Sequence, residues 1–310
     1  MVGAVVASLW LPGAGAGASP LVGASPSVGQ LYRVGSLRET FIDASRPTPP
    51  NGTYPGSSQR VLPTLVLYPK ERKGEHQHFP LIVFSHGFTA SGPDYRPVLK
   101  PWVAHGYVVA APTFPLSSGG APGGPTILDY PNQPGDVSFV ITQMLRLDHT
   151  VGSPLDDLID PGSIGVAGHS LGAVTTLGVA DNGCCRDPRI DATVSIAGIE
   201  LPFTGGTLFS SHTSPLLLIH GTADHTVPYG ASQALFAADD RSSTFFLTLD
   251  GAPHTAFFDP WGPVITATVL AFFDKYLKHS SSTHQILVSG TDPGIASIQF
   301  RLDRQHRGAA

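Results

Sequence analysis

Cysteine is scarce in this 310-residue chain, which has only two, side by side at Cys184 and Cys185. Adjacent cysteines cannot cross-link distant segments, so a fold held together by disulfides is excluded. The pair either closes a local disulfide ring or stays as two reduced thiols, and the sequence leaves both readings open. No metal site is predicted, because no second Cys or His pair stands at ligand spacing.

Charge is also sparse: charged residues make up 13% of the chain, and the net charge is −5. The sequence has no basic stripe of the kind that binds nucleic acid and no polybasic surface for anionic lipid. Beyond residue 30 it has no apolar run long enough to cross a membrane. We therefore expect neither a nucleic-acid partner nor a stable membrane span. The oligomeric state is left open.

Residues 1–30 differ in composition from the rest of the chain. They begin "MVGAVVASLWLPGAGAGASP", which is similar to the apolar core and small-residue cleavage region of a secretory signal. The basic segment that normally opens such a signal is missing, since the first basic residue is Arg33. We expect a signal-like or disordered leader and a secreted or exported protein. A cytoplasmic location is the alternative.

From residue 31 onwards, short apolar runs alternate with helical patterns. Runs such as "FPLIVFS", "YVVAAP", "SIGVAG", "PLLLIHG" and "FFLTLDG" are typical of buried strands. The alternation predicts an α/β domain over residues 31–280, with a mostly parallel sheet flanked by helices. Residues 281–310 are predicted as a C-terminal extension that adds a short strand or helix, or frays.

Fewer than twenty residues separate "VSIAG" from "PLLLIHG", which is too few for a helical cap domain. We therefore expect no large cap and an open cleft. The long Gly/Pro-rich segment 112–135 is the one candidate for a roof, because loops of that length are usually functional.

The stretch "GVAGHSLGAVTT" places Ser170 between Gly168 and Gly172. Gly-x-Ser-x-Gly is weak on its own in a chain so rich in Gly and Ser. Here it joins a predicted strand to a predicted helix, which is the context of a nucleophile elbow. Such a turn is tight enough to require glycine on both sides of the serine. We predict that Ser170 is a nucleophile.

A serine nucleophile needs a base that is itself held by an acid. Asp224 and His254 each follow a predicted strand, in the chain order expected of an elbow serine, and at the sheet edge where Ser170 is expected. We predict Asp224 as the acid and His254 as the base. Rival candidates are Asp250 at a strand end, Glu200 after another strand, and His225. His220 is interpreted as a residue that positions its loop.

An acyl-transfer site also needs donors for the oxyanion. The backbone N–H of Leu171, directly after the serine, is one predicted donor. The other is the backbone N–H of Phe88 in "VFSHGFTASG", which follows an early buried strand. His86 in the same stretch is interpreted as structural.

The segments "SHGF", "GHSLG", "HGTADHTVP" and "GAPH" occur in the order and spacing of the α/β-hydrolase superfamily, which the chain resembles over most of residues 60–278. More narrowly, it resembles the group of dienelactone hydrolases, platelet-activating-factor acetylhydrolases, chlorophyllases and bacterial cutinases (polyester hydrolases). This resemblance implies the α/β-hydrolase fold and ester hydrolysis by Ser170, His254 and Asp224. The backbone N–H groups of Phe88 and Leu171 would form the oxyanion hole. The reaction would need no cofactor and no metal.

The chain departs from those relatives in several places. Leu171 follows the serine where cutinases usually have Met, Trp261 follows the histidine, and the dienelactone-hydrolase cysteine nucleophile is missing. The substrate branch is therefore open.

We expect bulky, lipid-like or polyester-like esters in the open cleft. Phe88, Phe257 and Phe258 would form apolar walls, with Trp261 as a further pocket residue. The same Phe residues could instead belong to the core. The alternative functions are a serine peptidase or amidase, an acyltransferase, and a non-catalytic ligand-binding relative.

Overall fold

The strands that precede the predicted site residues run parallel in a single sheet, so these residues lie at the same edge of it. The computed structural model describes residues 31–70, 76–210, 214–240, 242–257 and 260–303. The leader (1–30), Phe258 and the end of the tail lie outside these described residues, so the interpretation of residues 1–30 as a signal stays a prediction.

The described residues contain nine strands that form one sheet. The strands are β1 (Arg33–Asp43), β2 (Arg60–Lys70), β3 (Phe79–Ser85), β4 (Val108–Pro112), β5 (Ile159–His169), β6 (Ala192–Ile196), β7 (Leu216–Gly221), β8 (Thr244–Leu249) and β9 (Ala296–Arg301). Their order is β1-β2-β4-β3-β5-β6-β7-β8-β9. Strands β3 to β8 run parallel, while β1, β2 and β9 pair antiparallel. The predicted α/β-hydrolase fold with a mostly parallel sheet is confirmed.

The helices cover both faces of the sheet. They are α1 (Arg96–Ala104), α2 (Gln133–Leu147), α3 (Leu171–Asp181), α4 (Tyr229–Ala238), α5 (Gly262–Tyr276) and α6 (Thr283–Ser289). Buried side chains of α1, α5 and α6 share one apolar cluster with the sheet, while those of α2, α3 and α4 belong to the clusters on its other side. The central strands are apolar throughout because both their faces are covered.

Residues 281–303 are part of the sheet's architecture. Strand β9 pairs antiparallel with β8 from Thr244↔Arg301 to Leu249↔Ala296, and α6 precedes it. The sequence left this segment open between a strand, a helix and a frayed tail. It forms both a helix and the edge strand.

The connection from β6 to β7 contains no helix among its described residues, and fewer than twenty residues span it. The segment 112–135 contains a 3₁₀ helix, Ile127–Asn132, and a buried arginine binds Asp129 in this helix. Arg60 is fully buried and donates to both carboxylate oxygens of Asp129 and both of Asp136. A buried charge of this kind is tolerated because it is fully paired.

Cys184 and Cys185 are joined by a disulfide, one of the two forms that the sequence left open. No helix within the described ranges has the length and apolarity needed to cross a membrane.

Candidate active site

Ser170 sits in a turn that only small neighbours allow. It follows β5 directly, precedes α3, and has a backbone φ of 56° and ψ of −120°. A positive φ is uncommon for a residue other than glycine and is associated with functional turns. A Cβ atom at Gly168 would lie 2.2 Å from the Gly172 carbonyl oxygen, and one at Gly172 would lie 2.1 Å from that of Ser85. Both glycines are therefore required by space.

Asp224 and His254 are joined by a short hydrogen bond. His254 Nδ1 lies 2.7 Å from Asp224 Oδ2, while Asp224 Oδ1 accepts the backbone N–H groups of Thr226 at 2.8 Å and Val227 at 2.9 Å. Burial acts to raise the pKa of Asp224, but the hydrogen bonds outweigh it and the pKa lies below its ordinary value. A carboxylate only accepts, so His254 Nδ1 carries a proton, and in the neutral form of the ring Nε2 holds the lone pair.

His220 meets the same carboxylate from inside the protein. Its Nε2 lies 3.1 Å from Asp224 Oδ2 and 3.0 Å from the Val227 carbonyl oxygen, and both are acceptors. Its Nδ1 faces the Ser232 hydroxyl at 2.7 Å. Nε2 therefore carries a proton, and burial lowers the pKa of the ring, which favours its neutral form. This agrees with the prediction that His220 positions its loop.

The Ser170 turn and the His254 loop are tied together. His169, the residue before Ser170, has its Nε2 at 2.9 Å from the His254 carbonyl oxygen, and the two rings are 4.7 Å apart. The Ser170 N–H donates to the Ile196 carbonyl oxygen at 2.9 Å, and Ile196 lines a small pocket together with His254. The loops that carry the three predicted side chains therefore meet at the carboxyl edge of β5 to β8.

The predicted oxyanion loop is held by His86. Its Nδ1 lies 2.8 Å from the Gly87 carbonyl oxygen, which also accepts the Ala90 N–H at 3.1 Å, while its Nε2 accepts the Phe114 N–H at 2.9 Å. In a trans peptide the N–H points away from the C=O. The Phe88 N–H is thereby directed away from the donors that hold the Gly87 carbonyl. His86 is fully buried, as its structural interpretation requires.

Comparison with known proteins assigns the chain to a family. A family model described as PETase, PET hydrolase-like, matches residues 64–305. The chain is a member of the PET hydrolase-like family. This membership confirms the resemblance drawn from the sequence and the α/β-hydrolase fold that the resemblance implied.

Two curated relatives add little about the activity of this PET hydrolase-like chain. Both are named Uncharacterized protein YfhR, one from Escherichia coli O157:H7 and one from Escherichia coli strain K12. Each is 29% identical over 131 residues, which is 37% of this chain and 46% of the relative. The chain thus spans less than half the length of the curated relatives it matches.

The residues predicted to line the pocket of this family member differ from one another in burial and in their contacts. Phe257 lines the small pocket beside His254, and the Phe88 side chain is 39% exposed. Trp261 is half-buried at the start of α5 and donates from Nε1 to the Asp250 carbonyl oxygen at 3.0 Å. Trp261 is not among the residues that line this pocket. Phe258 lies outside the described residues.

The rival acids and base are not joined to the His254 ring in this PET hydrolase-like chain. Asp250, Glu200 and His225 are exposed, whereas the carboxylate that meets His254 is that of the buried Asp224. Across the described residues, no three His, Cys, Asp or Glu side chains are grouped closely enough to hold a metal ion.

Sequence reasoning missed two partners in this site. Tyr95 ends a short 3₁₀ helix (Gly92–Tyr95) and Ser232 lies in α4, neither within a recognisable motif, and each supplies a hydroxyl to a buried histidine. His169 lies inside the Gly-x-Ser-x-Gly motif, but nothing in the motif indicates that its ring contacts the His254 loop.

Proposed function

We propose that this PET hydrolase-like protein is a serine carboxylic-ester hydrolase that works through an acyl-enzyme. Ser170 is the nucleophile, His254 the general base and Asp224 the acid that orients it. The observation that carries the proposal is the 2.7 Å contact between His254 Nδ1 and Asp224 Oδ2, because it leaves Nε2 as the free basic nitrogen.

In the first half-reaction, Ser170 Oγ attacks the ester carbonyl carbon and its proton passes to His254 Nε2. The carbonyl oxygen becomes an oxyanion, which the backbone N–H groups of Phe88 and Leu171 stabilise. Collapse breaks the C–O bond to the alcohol, and His254 returns the proton to the departing oxygen. The acyl group is then bound to Ser170.

In the second half-reaction, a water molecule gives a proton to His254 Nε2 and attacks the acyl carbon. The tetrahedral intermediate collapses, the carboxylic acid leaves, and Ser170 regains its proton from His254. Asp224 keeps the imidazole in the correct tautomer and stabilises the imidazolium formed in each half.

The substrates are bulky or surface-presented esters, of the lipid or polyester kind. Two observations support this: the short β6–β7 connection, whose described residues form no helix, and the 39% exposed Phe88 beside the proposed oxyanion hole. The family match also favours polyester-like esters. We propose secretion or export from the signal-like composition of residues 1–30.

The test is a panel of p-nitrophenyl esters from acetate to palmitate, polyester film, and peptide p-nitroanilides as the amidase control. A fluorophosphonate probe, followed by peptide mapping, identifies the nucleophile. We expect ester turnover, labelling at Ser170, and loss of both in Ser170→Ala with its thermal unfolding unchanged. Ser210→Ala, which changes an exposed serine outside the site, should match the parent.

Each alternative has its own result. Faster cleavage of anilides than of esters would indicate an amidase, and preferred transfer to an added alcohol would indicate an acyltransferase. Hydrolysis that survives in Ser170→Ala would place the nucleophile elsewhere. A folded protein with neither turnover nor label would be a non-catalytic relative.

A further inference from the structure

Tyr95 and His169 form a hydrogen-bonded pair beside the proposed triad but outside it. Both side chains are buried, with 8% and 4% of the residue exposed. The Tyr95 hydroxyl lies 2.8 Å from His169 Nδ1 and accepts the Gly87 N–H at 3.1 Å. At the other side of the ring, His169 Nε2 lies 2.9 Å from the His254 carbonyl oxygen. One chain of bonds thus runs from Gly87 to His254.

The direction of every bond in this chain is fixed. A backbone carbonyl can only accept, so His169 Nε2 carries the proton that faces His254. Burial lowers the pKa of His169 to about 4, so the ring is neutral and Nδ1 is an acceptor. Tyr95 therefore donates to Nδ1, and burial raises its pKa to about 12, which keeps the hydroxyl protonated. This series of hydrogen bonds from Gly87 to His254 therefore has a single arrangement of its protons.

The pair connects the three loops on which the proposed chemistry depends. Gly87 precedes Phe88, the proposed oxyanion donor, while His169 precedes Ser170 and holds the His254 backbone. Packing leaves little room for movement: a Cβ atom at Gly87 would lie 3.1 Å from the Tyr95 hydroxyl and 3.2 Å from His169 Nδ1.

The Phe257 ring packs against both members of the Tyr95–His169 pair. It contacts His169 edge-on at a centroid distance of 4.8 Å and Tyr95 at 5.8 Å. A shift of either Tyr95 or His169 would therefore displace Phe257 as well as the loops that carry Gly87 and His254.

We propose that Tyr95 and His169 are positioning residues that fix the Phe88 amide and the His254 ring relative to Ser170. This inference rests on the proposed function. In it, His169 and Tyr95 touch no reacting atom. They act by holding these three loops at the distances that the tetrahedral intermediate requires, so their loss should affect the transition state more than substrate binding.

The first test compares Tyr95→Phe with Tyr107→Phe. Tyr107 is a matched control, because its ring is fully buried and its hydroxyl donates to Asp274 at 2.6 Å beyond the opposite end of β4. Tyr95→Phe should lower kcat about 10-fold with KM changed less than 2-fold. It should also lower, by a similar factor, the affinity for a boronic acid that forms a tetrahedral adduct with Ser170. Tyr107→Phe should leave both values within 2-fold of the parent.

The second test separates the two ends of His169. His169→Gln can keep a donor for the His254 carbonyl, and His169→Asn can keep an acceptor for the Tyr95 hydroxyl. Both should lower kcat, and His169→Asn should also shift the proton resonance of His254 Nδ1–H, which is measured without substrate. These two variants decide the question if Tyr95→Phe does not fold.

The inference is wrong if Tyr95→Phe and both His169 variants, folded, match Tyr107→Phe in kcat and boronate affinity while the parent hydrolyses esters. A parent that neither hydrolyses esters nor labels at Ser170 would instead overturn the proposed function. In that case the His254 resonance in His169→Asn still tests the positioning, and an unchanged resonance contradicts it.

Discussion

His220 Nε2 lies 3.1 Å from Asp224 Oδ2, the same oxygen that the His254 ring meets. The carboxylate therefore has a buried donor on its inner side as well as a histidine on the side of the proposed active site. Because His220 is neutral, it adds a hydrogen bond to Asp224 without adding a charge that would compete with the imidazolium of His254.

We predict that His220→Ala lowers kcat about 10-fold with little change in KM. Removing the ring leaves Asp224 short of a donor and the Ser232 hydroxyl without its partner, so stability should also fall by about 1–3 kcal/mol. His220→Gln, which can keep a donor near the Nε2 position, should restore most of kcat. Active-site titration and urea unfolding measure the two effects separately, and an unchanged kcat in His220→Ala would contradict the prediction.

Asp224→Asn should lower kcat by a factor on the order of 10³–10⁴, because the amide can donate to His254 and favour the wrong tautomer. The change hardly alters volume, so the thermal midpoint should stay close to that of the parent. Asp250→Asn is the matched control, since Asp250 is exposed and was the rival acid in the sequence. Ester hydrolysis at saturating substrate distinguishes them, and a larger loss in Asp250→Asn would reassign the acid.

The sequence predicts the strands and the sheet edge well, because apolar runs and turn residues are local signals. Once β5, β7 and β8 are parallel, the loops after them must share one edge, and Ser170, Asp224 and His254 follow. Their catalytic roles stay predictions.

The partners of these residues depend on tertiary contacts that no local pattern encodes. Tyr95 and His169 are 74 positions apart, and they meet only because the segment leading into α1 packs over the end of β5. Arg60 similarly finds its two aspartates 69 and 76 positions away. The sequence leaves the tail ambiguous because β9 becomes a strand only by pairing with the edge of β8.

Gly87→Ala should lower kcat roughly 10-fold, less than the 10²–10³ loss that follows removal of a whole oxyanion donor. The added methyl group would press on the Tyr95 hydroxyl and His169 Nδ1 and tilt the peptide that carries the Phe88 N–H. Phe88→Ala is the control, because it changes the side chain and keeps the amide.

On p-nitrophenyl acetate we expect Phe88→Ala to stay within about 3-fold of the parent in kcat. Equal losses in the two variants would show that the Phe88 side chain, rather than its amide, supports turnover of this small ester.

His86 and His169 should each cost the protein stability as the pH falls from 6.5 to 4. Burial lowers the pKa of His86 and of His169 from 6.5 to about 4, so the unfolded chain takes up these protons first as the pH falls. Their contribution is complete above pH 6.5 and is lost on the way to pH 4, at about 3 kcal/mol for each ring.

Urea unfolding at several pH values between 7.5 and 4 measures this slope. In His169→Gln the loss over that interval should be smaller by about 3 kcal/mol, because one of the two titrations is removed from both states. Tyr107→Phe, which removes no group that titrates in this range, should keep the full slope even if its overall stability is lower. Parallel pH profiles for the parent and His169→Gln would mean that folding does not lower the pKa of His169, which contradicts this prediction.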